Sequence, residues 1–160
     1  MARMMPSLWY ASDAEEAARF YVGIIPDSRI DRVWSMQAES PSGPPGSVKL
    51  VEFTIAGTPV TAMQAANPPG RFDESVSLTV EVADQAELDR IWDALLDGGQ
   101  AQGCGWLIDR WGLRWQIVPR QLNDMMADPD RAAAARTAEA MMGMVKFDIA
   151  ALKAAHAGTA

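Results

Sequence analysis

The feature that most limits what this chain can fold into is a repeat. Displacing the sequence by 71 residues lays Ala17 on Leu88, Phe20 on Ile91, Tyr21 on Trp92, Ile24 on Leu95 and Ile25 on Leu96. These positions recur at spacings of three and four, so each stretch reads as a helix with one apolar stripe. Ser12-Asp13-Ala14-Glu15 has the Ser-x-x-Glu pattern of a capping box, and Asp84 with Glu87 repeats it. Pro26 stops the first helix, and Gly98-Gly99 closes the second. A strand precedes each helix, at residues 6–11 and 75–82. Further strands follow at 28–37, 47–56 and 59–65 in the first half, the last two joined around Gly57-Thr58. Residues 40–46 and 67–70 are loops by their Ser, Pro, Gly and Asn content. The chain therefore reads as two tandem β-α-β-β-β modules, about 1–72 and 73–120. The second has a weaker second strand, near residues 100–102.

The second module ends on a hairpin, Cys104-Gly-Trp-Leu-Ile-Asp-Arg-Trp-Gly-Leu-Arg-Trp-Gln-Ile-Val-Pro119, turning at Trp111-Gly112. In its second strand Leu113, Trp115 and Ile117 point one way, and Arg114, Gln116 and Val118 the other. Pro119 has no N–H to donate and ends the pairing. Beyond it the composition turns to Ala and Met. A short helix is expected at 122–127, a second opening at Asp128-Pro129 and running to about Met142, and a last one capped by Asp148 and carrying Ile149, Leu152 and His156. Residues 121–160 thus read as a C-terminal helical appendage.

Composition removes several function classes. A net charge of −7 opposes binding to the phosphates of nucleic acid and to anionic lipid. The lone cysteine, Cys104, allows no internal disulfide. The N-terminus lacks a signal peptide's long apolar run, so a reducing cytoplasm is the expected compartment. No apolar run reaches the ~18 residues of a membrane span. The single histidine, His156, argues against an all-His metal site and a His-based triad in the core.

Two tandem β-α-β-β-β modules resemble the vicinal oxygen chelate superfamily, which includes glyoxalase I, ring-cleaving dioxygenases and bleomycin-resistance proteins. Within it the sequence is similar to the PhnB-like group, often labelled demethylubiquinone methyltransferase-like. The likeness rests on Leu8-Trp9-Tyr10, Ala14-Glu15-Glu16-Ala17-Ala18-Arg19-Phe20-Tyr21, the whole hairpin from Cys104 to Pro119, Asp128-Pro129-Asp130, and Lys146-Phe147-Asp148-Ile149-Ala150-Ala151-Leu152. It implies an α+β fold whose modules curve around a pocket, and pairing of modules across a homodimer. No Gly-rich strand-to-helix turn of the kind that holds S-adenosylmethionine is present.

Metal-using members carry a His, a Glu, a second His and a second Glu. The resemblance places these on Pro6, on a position near Ala62 or Gln64, on Ser75 and on Gln116. None is a carboxylate, thiolate or imidazole, so no metal and no cofactor is expected. Other chemistry-bearing residues have plainer explanations. Cys104 reads as a nucleophile or as a small apolar residue where two strands start. Trp115 reads as core, whereas Trp106 and Trp111 are open to stacking a ligand. The cluster of Met125, Met126, Met141, Met142 and Met144 reads as core or subunit interface. Glu15 and Glu16 are explained by a solvated helix start.

The polar strand faces carry the functional reading. Leu8 and Tyr10 are expected to share one side with Ser75, Ser77, Thr79, Arg114 and Gln116, opposite the helices. The expected ligand pocket comprises Tyr10, Ser75, Ser77, Cys104, Trp106 and Gln116. The leading expectation is a binding protein for an unidentified small molecule, without the superfamily metal. The alternatives are an enzyme of that superfamily (a metal-assisted lyase or isomerase, or a dioxygenase) and a dimeric structural or regulatory protein.

Overall fold

A computed structural model describes residues 2–66 and 70–159. The loop expected at 67–70 falls, for its first three residues, outside them. The chain divides into two compact units, residues 1–71 and 72–160.

The first unit holds β1 (Ser7–Tyr10), α1 (Ala14–Ile24), β2 (Arg29–Ser35), β3 (Lys49–Ile55) and β4 (Thr58–Gln64). Its strand order is β1-β4-β3-β2, with β1 parallel to β4 and the other pairs antiparallel. α1 packs on this sheet through three alanines and one tyrosine: Ala14, Ala17, Ala18 and Tyr21 are fully buried. The capping box expected at its start does not form. Asp13 takes a left-handed conformation (φ 63°) and its side chain caps nothing, since capping requires an extended residue there. Gln64 of β4 accepts from the Ala14 N–H instead, at 3.3 Å. Glu15 pairs with Arg19 (2.8 Å) and Lys49 (3.1 Å), and these partners, Arg19 foremost, hold its carboxyl below the usual range. The β3–β4 turn is centred on Ala56 and Gly57, both at positive φ, one residue earlier than the sequence suggests. Two left-handed residues match the twist of a tight hairpin.

The second unit holds β5 (Leu78–Val82), α2 (Gln85–Leu96), β6 (Gln100–Ala101), β7 (Trp106–Ile108), β8 (Arg114–Pro119), α3 (Arg120–Met126), α4 (Arg131–Met142) and α5 (Ile149–Ala157). Its order, β5-β8-β7-β6, with β5 parallel to β8, reproduces that of the first unit. Here the capping box does form: Asp84 Oδ1 accepts from Glu87 N–H at 2.9 Å, and Glu87 Oε2 accepts from Ala83 N–H at 2.8 Å. α2 buries Leu88, Ile91, Trp92 and Leu95, each contributing about 1.5–3 kcal/mol if fully removed from water. β5 is shorter than expected. Ser75 to Ser77 precede it, and Val76, expected on the apolar face, is exposed.

The hairpin of β7 and β8 is organised by one buried carboxylate. Asp109 Oδ1 accepts from the N–H groups of Trp111 (2.9 Å) and Leu113 (3.0 Å), and its Oδ2 accepts from Trp115 Nε1 (2.9 Å). Gly112, at φ 88°, lets the chain reverse above it. Trp115 is fully buried and its one polar atom is satisfied within the hairpin.

The helical tail is built into this unit. Cys104 and Gly105 donate their N–H groups to the carbonyls of Met144 and Val145, both at 2.8 Å. The Gln85 carboxamide donates to Phe147 O and accepts from Ile149 N–H. Lys146 bridges Asp89 (2.9 Å) and Asp93 (3.2 Å). Asp130, rather than Asp128, caps α4, accepting from the N–H groups of Ala132 and Ala133. The methionine cluster is not core: Met142 is 71% exposed and Met126 39%.

Replacing Asp109 by Ala strands two buried donors, Leu113 N–H and Trp115 Nε1–H. The expected loss is about 3 kcal/mol or more, read by urea denaturation. Gly105→Ala places a methyl group against the Phe147 ring at a left-handed position. It should destabilise by about 2 kcal/mol or more and speed tryptic cleavage at Lys146 and Lys153.

Candidate functional site

In the second sheet the side chains alternate between a face packed on α2 and a face turned away from it. Val80, Val82, Leu107, Trp115 and Ile117 are buried on the first. The second face carries a row of three directly opposed residues: Thr79 on β5, Gln116 on β8 and Trp106 on β7. Beside it, Arg114 on β8 stands opposite Ile108 on β7. Gln116 Nε2 donates to Ser77 Oγ at 2.8 Å. An indole, a carboxamide, a hydroxyl and a guanidinium thus converge on one small area with no carboxylate in either row.

Arg114 is the recessed member, with its side chain 15% exposed. It pairs at 3.1 Å with Glu74, whose side chain is 84% exposed, and Nη1 lies 3.5 Å from Phe72 O. Asp73 lies nearby in sequence. The Ser75 hydroxyl, then the Ser75 N–H and, more weakly, Arg114 hold its carboxyl below the usual range.

Of the six residues expected to form the pocket, the second sheet brings three together: Ser77, Trp106 and Gln116. Ser75 is exposed in a turn ahead of β5 and bonded to Asp73. Cys104 is half-buried in the link before β7, at φ 57°. Tyr10 is 3% exposed, and its hydroxyl meets that of Tyr21 on α1 at 3.2 Å. Leu8 is buried likewise. Both point toward the helix, not away from it.

One residue explains the reversal. The helices match at an offset of 71, but the β1–α1 link has three residues (Ala11, Ser12, Asp13) and the β5–α2 link has two (Ala83, Asp84). The strands therefore match at an offset of 72, and a slip of one exchanges the faces of a strand. The residues of β1 turned away from α1 are Ser7 and Trp9, neither of which the sequence points to. Trp9 opens the row Trp9–Met63–Leu50–Trp34 across the first sheet, beside the row Ser7–Thr61–Glu52–Arg32. Trp9 Nε1 is buried without a hydrogen-bond partner among the described residues. Glu52 takes hydrogen bonds from Arg32 and Trp34, which keep its carboxyl below the ordinary range. A groove of about 410 Å³ on this unit is lined by Arg3, Arg29, Asp31 and Glu52, among others.

The metal positions change in the same way. Ala62 is buried, and Gln64 serves the start of α1. The β4 residues turned away from α1 are Thr61 and Met63. Among the described residues no group of three His, Cys, Asp or Glu side chains is placed to hold a metal ion.

The family described as 3-demethylubiquinone-9 3-methyltransferase matches residues 2–118. A PhnB protein from Bacillus cereus is 26% identical, covers 74% of this chain and 99% of its own, and superposes with a TM-score of 0.65. The fosfomycin resistance protein FosX from Mesorhizobium loti is 16% identical over 79% of this chain and 98% of its own, with a TM-score of 0.54. A glyoxalase family protein from Bacillus cereus is 14% identical over 74% and 94%, also at 0.54. The last two share the fold alone. No protein with a curated description matches the chain.

Ser77 and Gln116 should be energetically coupled. In a double-mutant cycle of Ser77→Ala and Gln116→Ala, the expected coupling is about 0.5–1.5 kcal/mol by urea denaturation. Thr79→Ala combined with Ser77→Ala should give none.

Proposed function

The chain belongs to the family described as 3-demethylubiquinone-9 3-methyltransferase, the PhnB-like group of the vicinal oxygen chelate superfamily, and we propose that it binds a small organic molecule on the face of the second sheet turned away from α2. The observation that carries this reading is the row Thr79–Gln116–Trp106, with Gln116 steadied by Ser77. An indole offers an apolar face, while a carboxamide both donates and accepts hydrogen bonds without charge. Ligand sites use both kinds of group, an apolar surface for contact and fixed polar groups for orientation. The proposal includes a metal-free site, since Gln116 stands where metal-using members carry Glu. It also includes a cytoplasmic homodimer, whose interface the exposed Met142 and the half-buried Met141 and Met144 would serve.

The family description suggests methyl transfer as a second reading. The residues do not fit the common methyl-donor site. That site needs a glycine-rich turn from a parallel strand into a helix. The two strand-to-helix links here, Ala11-Ser12-Asp13 and Ala83-Asp84, contain no glycine.

The test is a thermal-shift screen of small polar aromatics and aliphatics on the full chain, with elemental analysis of the same preparation. A ligand at a hundred times its dissociation constant should stabilise the protein by about 2.7 kcal/mol. That shift should shrink in Gln116→Leu and in Trp106→Ala. A hit whose shift ignores both variants, or a stoichiometric metal with Gln116 in its coordination shell, overturns the proposal.

A further inference from the structure

Resting on the reading of that face as a binding surface, we propose that its ligand is an aromatic carboxylate, held by Arg114 through the carboxylate and by Trp106 through the ring. Glu74 occupies the carboxylate position until the ligand displaces it.

Three observations lead there. The first is the asymmetry of the Arg114–Glu74 pair. The guanidinium is recessed, on a strand inside the sheet, whereas the carboxylate is 84% exposed and comes from the irregular stretch before β5. Exposed carboxylates contribute little to stability through such pairs, so Glu74 is easily replaced. A recessed guanidinium, by contrast, is an anchor that keeps its place when the partner changes. The second is donor capacity. A guanidinium has five N–H donors in a planar fork suited to a carboxylate. The contacts formed here, to Glu74 at 3.1 Å and to Phe72 O at 3.5 Å, engage Nη2 and, at the limit of hydrogen-bonding distance, Nη1. The group already beside it is a carboxylate, which identifies the chemistry the position accepts.

The third is spacing. Trp106 is opposite Gln116, and Arg114 lies two residues along β8 on the same face. Diagonal neighbours of this kind sit about 7–8 Å apart at the backbone, within joint reach of an aromatic ring and a long cation. A ring against Trp106 and Ile108 therefore brings a ring-borne carboxylate to Arg114. Gln116 is left to bond a neutral substituent. Asp73 and Glu74 both stand near the guanidinium and oppose a second anion, which restricts the ligand to a single negative charge.

The experiment uses benzoate and benzamide, equal in shape and different in charge, titrated into the full chain by calorimetry. Benzoate should bind about tenfold more tightly, the effect of a hydrogen-bonded charge on one carboxylate. Arg114→Gln should abolish that preference, weakening benzoate far more than benzamide, whose carbonyl loses only a neutral acceptor's bond to the guanidinium. Glu74→Gln alters only an exposed side chain and should raise benzoate affinity about threefold by removing the competitor. Equal affinities for the two probes, a preference that survives Arg114→Gln, or weaker benzoate binding in Glu74→Gln overturns the inference. Benzamide binding that depends on Gln116 without any gain for benzoate leaves the binding face standing and removes only the carboxylate. Failure of both probes to bind at millimolar concentration removes both.

Discussion

A four-stranded sheet with one helix beside it buries one face and leaves the other to water or to a ligand. Each unit of this protein is built on that constraint. Because side chains alternate along a strand, every strand carries two independent lists of residues. Leu8, Tyr10, Val60 and Ala62 form the buried list in the first unit, and Val80, Val82, Trp115 and Ile117 that in the second. The buried lists supply the stability. The opposite lists are free to be polar, because hydrated polar groups on an uncovered face cost little.

The hairpin of the second sheet is secured at both ends. Asp109 ties the turn, two backbone amides and the Trp115 indole into one unit. The tail holds the other end of β7 through the N–H groups of Cys104 and Gly105, and it is clamped to α2 by Gln85 and Lys146. Trp106 and Gln116 sit between these two anchors. A binding group on a strand fixed at both ends loses little freedom when a ligand arrives.

The same framework carries different surfaces in the two units. The first sheet presents a mostly apolar row, Trp9–Met63–Leu50–Trp34, with its charges paired at the edge strand. The second presents hydroxyl, amide and indole in one row and a recessed arginine in the next. Architecture alone therefore assigns no chemistry. The residues on the helix-free face do.

Much was legible from the residues alone. The helical stripes, the Cys104–Pro119 hairpin, the capping box at Asp84 and the repeat of strand and helix order are local patterns, set by periods of two and 3.6 that need no distant partner. The family likeness and the pairing of Gln116 with a strand of the same module were legible too. What only the tertiary structure decided is which way β1 faces. Nothing in Leu8-Trp9-Tyr10 states it, since all three side chains are large and apolar or amphipathic. The left-handed Asp13 adds one residue between strand and helix, and the Tyr10–Tyr21 contact then settles the strand with Tyr10 inward and Trp9 outward. The roles of Gln64 at the start of α1 and of Glu74 against Arg114 were hidden for the same reason. Each is a contact between groups whose separation in sequence carries no period, so only the folded chain brings them together.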